Sequence, residues 1–159
     1  MQLIDLFAYE KKDAILEQFE ALKNEWEAIP FLLSLIKEGK FHSTLGNGTC
    51  YVLVDEENLT NGVPTVASFA NFCDRDEVDS ELRPWIGFVF TAKAYRGRHL
   101  MGQIIEHCMK LAVTKYPESE YVYISTGETG LYEKYGFEYF QQMTSVWNGE
   151  TRVYRRRIR

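Results

Sequence analysis

The segment from Pro84 to Ile105 constrains the fold most, because an apolar strand, a basic turn and an amphipathic helix follow one another without a break. Pro84 to Thr91 reads PWIGFVFT, which is typical of a strand covered on both faces. YRGRHLMG follows after Ala92, Lys93 and Ala94, and the helix that begins there has its apolar stripe at Met101, Ile104, Ile105, Cys108, Leu111 and Ala112. Such an order predicts an α/β unit within a larger sheet.

Two helices are predicted before this unit. Asp13 stands where an N-cap would, and the apolar residues behind it recur at spacings of three and four, namely Ile15, Phe19, Leu22, Trp26 and Ile29. Pro30 suits the first turn of a second short helix, and Gly39 is a natural stop.

The remaining segments predict strands and one short helix. Asn61-Gly62 and Asn148-Gly149 are turn dipeptides, each between two β-branched and aromatic runs. We predict a short helix over 126–135 and strands over 1–9, 51–54, 65–72, 121–125, 137–147 and 151–158. The order predicts an α/β (α+β) fold: a central mixed, mostly antiparallel sheet flanked by helices, with a C-terminal β-hairpin.

Length and charge limit the function classes. A chain of 159 residues suits one domain with its own core, so we expect a single domain over residues 1–159. Its 18 Lys and Arg against 23 Asp and Glu give a net charge of −5, which argues against a general nucleic-acid binder. The arginines of the C-terminal TRVYRRRIR are expected to protect an edge strand, and nucleic-acid contact is the weaker alternative.

The sequence also indicates a cellular setting. The N-terminus has no basic-then-apolar signal pattern, and no run approaches the roughly 18 apolar residues that span a bilayer. The 3 cysteines show no CxxC spacing, so reduced thiols and no metal site are expected. We therefore predict a cytoplasmic protein without membrane contact.

The turn after the apolar strand is suited to an anion. A helix N-terminus offers free N–H groups and the positive end of the helix dipole. Gly97 allows a phosphate to approach the backbone closely, and Arg96 and Arg98 add positive charge. The alternative is a surface turn with two solvated arginines.

This turn resembles the acyl-CoA-binding motif of the GNAT superfamily of N-acetyltransferases, Q/R-x-x-G-x-G/A. Arg96 takes the first position, whereas His99 and Met101 replace the two usual glycines. The resemblance implies a GNAT-like domain that uses acetyl-CoA, with the pyrophosphate on Arg96, Gly97, Arg98, His99, Leu100, Met101 and Gly102. It also implies that Val89 and Thr91 pair with the pantetheine arm like an added strand.

A second family signature follows in LYEKYGF, a short helix that carries tyrosine and ends at Gly-Phe. In the family, the tyrosine four residues before that glycine protonates the leaving CoA thiolate, and here it is Tyr132. A phenol with a pKa near ~10 can protonate such a thiolate. Tyr135 is the rival, although its position fits packing better. The resemblance further places Ser125, in place of the usual asparagine, against the cofactor.

No base is evident for the attacking amine. The strand before the turn contains no carboxylate, and the nearest acids are Asp74, Asp76, Glu77, Asp79 and Glu81. A solvated loop is the expected state of these acids. The alternative is that one of them lines the acceptor pocket and binds or deprotonates the amine.

The resemblance thus predicts an acetyl-CoA-dependent N-acetyltransferase that acts on a primary amine. The acceptor class stays open among small-molecule amines, polyamines, amino acids, protein N-termini and lysines, and so does a homodimer. A non-catalytic acyl-CoA sensor or scaffold of the same fold is the alternative, favoured by the replacements at His99 and Met101.

Overall fold

The computed structural model describes the whole chain, residues 1–159. Its strands are β1 (Gln2–Asp5), β2 (Gly48–Thr60), β3 (Val63–Cys73), β4 (Trp85–Thr91), β5 (Tyr121–Thr126), β6 (Glu138–Ser145) and β7 (Gly149–Arg157). The helices are α1 (Lys12–Ala21), α2 (Ala28–Lys37), α3 (Phe41–Leu45) and α4 (Leu100–Lys115). Short 3-10 segments lie at Leu6–Ala8, Lys93–Tyr95 and Tyr132–Tyr135.

All seven strands belong to one sheet, in the order β1-β2-β3-β4-β5-β7-β6. Every neighbouring pair is antiparallel except β4 and β5, so the predicted mixed and mostly antiparallel sheet is confirmed. The β4–β5 pairing covers only two residues of each strand, Trp85 with Tyr123 and Ile86 with Ile124. Beyond Ile86 the two strands line a cleft between them.

Local sequence explains the β2–β3 hairpin. Asn61 and Gly62 both adopt positive φ, 51° and 83°, the conformation that a two-residue turn of this kind requires. Between β3 and β4 the register shifts, with Phe69 opposite Phe90 but Asn71 opposite Gly87. The extra residue is accommodated at Phe88, whose φ is 51°. This bulge lies where β4 leaves β5.

The helices cover both faces of the sheet. Phe19 of α1 stacks on Phe69 of β3, with ring centroids 4.3 Å apart. Tyr116, which caps the C-terminus of α4, contacts Phe72 from the other face, since residues three apart on a strand point in opposite directions. The apolar stripe of α4 is buried as predicted at Ile104, Ile105, Cys108 and Ala112, whereas Met101 and Leu111 are only half-buried.

The predicted limits of the first helix were wrong. Lys11 is its N-cap and Asp13 lies inside the first turn, without a side-chain capping bond at the start of the helix. The helix ends at Ala21, so Trp26 and Ile29 lie beyond it. Turns over 22–25 follow the helix, so Trp26 does not lie on the helical face that its spacing predicted. The predicted first turn at Pro30 and the stop at Gly39, with φ of 69°, agree with α2.

Two predictions near the C-terminus also require correction. Residues 126–135 do not form one helix, since only Tyr132–Tyr135 are helical, in a 3-10 turn. β7 is not an edge strand, because β6 pairs with its outer side. Its arginines have intramolecular contacts instead: Arg155 lies 4.0 Å from the Tyr121 ring centroid, and Arg156 forms a 2.7 Å ion pair with Glu106.

Cys50, Cys73 and Cys108 are free thiols, and all three are buried. None of the helices has both the length and the apolar composition needed to cross a membrane.

Candidate active site

A cavity of about 1210 Å³ occupies the cleft where β4 and β5 separate. The turn before α4 and the 3-10 segment with Tyr132 form one side of it, which we call the turn side. Three connections supply further lining of the cavity: α1 to α2, β3 to β4 and β6 to β7. We call this lining the connection side.

The turn side begins with the predicted basic turn. Gly97 has φ of 81°, and His99, the N-cap residue of α4, has φ of 57°. Both angles lie in the left-handed region that favours glycine. The replacement of glycine by His99 therefore leaves the backbone in a glycine-like conformation, with the first free N–H groups of α4 directly behind the turn.

The arginines of this turn are exposed, and each contacts a neighbouring residue. The Arg96 Nε donates to the Thr91 carbonyl at 3.3 Å, and the Arg98 guanidinium lies 5.1 Å from the Tyr95 ring centroid. A Cβ added at Gly97 would meet no atom within 4 Å beyond the neighbouring residues of the chain. The turn therefore has open space for a bulky anion between two cationic side chains.

The next positions contribute differently. Leu100 is buried and belongs to the core, whereas Met101 is half-buried and lines the cleft. Gly102 provides space for an aromatic ring, since an added Cβ would lie 2.9 Å from Cε1 of Tyr135. On β4, Val89 and Thr91 line the cleft, and the Thr91 hydroxyl lies 3.0 Å from that of Ser68.

Tyr132 lies on the same side, in the 3-10 turn Tyr132–Tyr135, which is the only part of the predicted short helix that is helical. Gly136 closes this turn with φ of 86°, and the Phe137 N–H donates to the Tyr132 carbonyl at 3.2 Å. The phenol is buried, and its pKa is raised mainly by burial and further by the charges of Glu128 and Asp76. Tyr132 is thus held as a protonated phenol at the wall of the cleft.

The connection side contains two carboxylates, Asp76 and Glu77, that the solvated-loop expectation assigned wrongly. Ser125 of β5 donates to Glu77 Oε2 at 2.6 Å, and its Oγ lies 3.3 Å from Asp76 Oδ2. Burial, and then the charge of Glu77, raise the pKa of Asp76 to about 7. Ser125 therefore joins β5 to an acidic pair in the cleft.

The other acids of that segment differ in burial. Asp74 is buried and accepts from the Tyr116 hydroxyl at 2.7 Å and from the Asn47 N–H at 2.9 Å, which is a structural role. Asp79 and Glu81 are exposed, as a solvated loop predicts. The acids of this loop therefore differ in exposure: Asp74 is buried, Asp76 and Glu77 are half-buried, and Asp79 and Glu81 are exposed.

Gly87 explains how Asp76 reaches the cleft. A Cβ at Gly87 would lie only 2.0 Å from Asp76 Oδ1, so the carboxylate occupies the space that a side chain would fill. Glycine inside an apolar strand is a known indication that another group approaches the backbone closely. It was the one sequence signal that could have located Asp76.

Comparisons with known proteins agree with this geometry. A model of the acetyltransferase (GNAT) family matches residues 12–137. A search of curated proteins gives no match. Among solved structures, a GNAT acetyltransferase from Staphylococcus aureus Mu50 is 14% identical with a TM-score of 0.65, and the alignment covers 99% of each chain.

Two further structures share the fold. NAA60 from Arabidopsis thaliana, solved with a bisubstrate analogue, is 14% identical with a TM-score of 0.67 over 92% of this chain and 95% of its own. Spermidine N-acetyltransferase SpeG from Vibrio cholerae, solved as a mutant, is 13% identical with a TM-score of 0.64 over 99% and 95%. With the family match over most of its length, the chain belongs to the GNAT family of acetyltransferases.

Proposed function

We propose that this GNAT acetyltransferase transfers the acetyl group of acetyl-CoA to a primary amine within the cleft, with Tyr132 as the proton donor and Asp76 as the base. The observation that carries the proposal is the presence in one cavity of a buried phenol and a carboxylate whose pKa is raised to about 7. Groups with opposite tasks and separated pKa values are typical of acid–base sites.

The residues of the turn side fit the phosphates of CoA. Arg96, Gly97 and Arg98 combine exposed charge with open space in front of the N-terminus of α4. His99, Leu100, Met101 and Gly102 would contribute through their backbone, at the start of that helix. The bound thioester supplies an activated acetyl group.

Val89 and Thr91 lie where β4 has no strand partner on the side of β5, so β4 can pair there with an extended amide chain, and Arg96 Nε would have to release the Thr91 carbonyl for a bond at that group. This suits the pantetheine arm. Ser125 faces the cleft from β5, but its proton goes to Glu77. We therefore assign Ser125 to holding the acidic pair, and contact with CoA is the lesser part of its role.

Protons balance across the two sides of the cleft. The acceptor ammonium gives one proton to the Asp76 carboxylate, which later releases it to solvent. The amine nitrogen then bonds to the acetyl carbon while the carbon–sulfur bond breaks. Tyr132 gives its proton to the departing sulfur and recovers one from the new amide nitrogen.

Substitution of Tyr132 by phenylalanine tests this assignment. Tyr132→Phe should lower turnover about 100-fold, because the departing thiolate loses its proton source, while the affinity for CoA stays near wild type. Thiol release gives turnover, and calorimetric titration gives affinity. Tyr135→Phe is the matched control, since its ring packs at Gly102, and should retain activity.

Unchanged turnover in Tyr132→Phe, or loss of CoA binding in it, would contradict the proton-donor role. If the wild-type protein binds CoA tightly but transfers acetyl to no amine, the non-catalytic sensor is the better account.

A further inference from the structure

Four aromatic side chains form a continuous surface on the connection side, which we call the aromatic wall: Trp26, Phe31, Phe88 and Trp147. Phe31 and Trp147 meet edge to face with centroids 4.8 Å apart, and Phe88 lies 5.8 Å from Trp147. Phe88 also lies 6.1 Å from Phe31 and 6.2 Å from Trp26. These distances are those of interacting ring pairs.

The wall is assembled from separate segments and is not closed over. Trp26 precedes α2, Phe31 lies on α2, Phe88 occupies the bulge of β4, and Trp147 lies in the β6–β7 connection. Phe31 is 37% exposed, and the other three are half-buried. Rings of the core, such as Phe19 and Phe69, are completely buried. The wall thus offers apolar area to the cleft that the protein itself leaves uncovered.

The wall is attached to the acidic pair at two points. Asp76 occupies the space over Gly87, the residue directly before Phe88. The Glu77 carbonyl accepts from the Val146 N–H at 2.7 Å, directly before Trp147. Val78 also forms a bridge with Ser145 at the end of β6. Carboxylates and rings are therefore parts of one built surface, with fixed relative positions.

The chemistry of that surface is divided. Asp76 and Glu77 supply negative charge at one place, whereas the wall is apolar. Glu25 and Glu27, on either side of Trp26 in the sequence, also line the cavity, and the Glu25 carboxylate accepts from the Lys93 N–H at 2.8 Å. A ligand that matches the acidic pair and the aromatic wall has one cationic end and one flat apolar end, because uncovered rings gain binding from contact with apolar area.

We infer that the acceptor is a small primary amine joined by a short linker to an aromatic ring, an arylalkylamine. Its ammonium would contact Asp76 and Glu77, and its ring would pack on the aromatic wall. The inference rests on the proposed function and goes further by naming the acceptor class. Ring contacts of this kind contribute binding beyond simple area burial.

A matched set of acceptors tests this inference. Phenethylamine, butylamine and spermidine are compared by kcat/KM at saturating acetyl-CoA. Phenethylamine should exceed butylamine by about 10-fold or more, because the ring supplies several apolar carbons to the wall. Spermidine should not exceed butylamine.

Variants of the wall then locate the contact. Phe31→Ala and Trp147→Ala should each raise the KM for phenethylamine about 10-fold, which corresponds to about 1.4 kcal/mol and lies within the range for a pair of aromatic rings. The KM for acetyl-CoA should stay near wild type, and the kcat/KM for butylamine should fall by less than that for phenethylamine. Trp147→Phe should recover most of the loss. Tyr139→Ala, which removes a ring 46% exposed on β6, is the matched control.

A higher kcat/KM for spermidine or for a peptide N-terminus than for phenethylamine would overturn the inference. So would an unchanged KM for phenethylamine in both Phe31→Ala and Trp147→Ala. Calorimetric titration of phenethylamine into the CoA-saturated protein tests the arylalkylamine inference separately from the proposed function. Binding that Trp147→Ala removes, without turnover, would refute the enzyme proposal alone. Absence of such binding would overturn the arylalkylamine inference whatever the turnover.

Discussion

The two sides of the cleft are built in different ways. On the turn side, the basic turn is one continuous stretch of chain, and its contribution comes mainly from backbone conformation at Gly97 and His99. The connection side gathers Trp26, Asp76 and Trp147 from segments far apart in sequence. In the proposed function, CoA binds on the turn side and the acceptor amine on the connection side. The proposal thus assigns cofactor binding and acceptor choice to separable parts of the molecule.

The largest expected effect tests whether the connection side takes part in chemistry. Asp76→Asn keeps the shape of the side chain but removes the base, so kcat/KM for the amine should fall by about 10²–10⁴-fold at pH 8. In the wild type, kcat/KM should rise with pH up to about 7 as Asp76 ionises, and the variant should lack that rise. The affinity for acetyl-CoA should not change.

Asp79→Asn is the control for this experiment, because Asp79 lies exposed in the same loop. An equal loss of kcat/KM in both variants, or a wild-type pH profile in Asp76→Asn, would mean that Asp76 is not the base.

A smaller effect should appear in stability. The pKa of Asp76 in the folded protein, about 7, lies above its ordinary value of 3.8, so the ionised carboxylate destabilises the fold. This penalty is absent below about pH 4, grows between pH 4 and 7, and is constant above. Asp76→Asn should therefore raise the melting temperature by about 2–4 °C at pH 8, which corresponds to about 1 kcal/mol in a chain of this length.

The melting difference between Asp76→Asn and wild type should shrink as the pH falls from 7 to 4. A variant that melts lower than wild type at pH 8 would show that Asp76 is placed for stability, and that the connection side stores no strain for function.

The elements of the turn side could be predicted from the sequence because their patterns are local. The strand, the turn and α4 are contiguous, and the spacing of Tyr132 from Gly136 lies within one segment. The replacement at His99 left the cofactor turn open to doubt in the sequence, although backbone N–H groups do not depend on the side chain. The backbone at His99 shows why the turn tolerates it: φ of 57° keeps the shape that glycine would give.

Non-local contacts caused the main errors. The acids at 74–81 look like a polar loop in sequence, and only the space left at Gly87 and the bond from Ser125 bring Asp76 and Glu77 into the cleft. The position of β7 depends on β6 folding back outside it, which the arginine pattern cannot reveal. The predicted helix over 126–135 was too long because the prediction did not take account of Gly127 and Gly130, which disfavour a helix. Gly130 has φ of 82°.

The most direct test of the central claim is calorimetric titration of the purified protein with CoA and acetyl-CoA. The wild type should bind both with a dissociation constant in the micromolar range. The double variant Arg96→Ala with Gly97→Asp should lose this binding, because it removes a cation and places a carboxylate in the turn. Absence of binding by the wild type, or equal binding by the variant, would contradict the account.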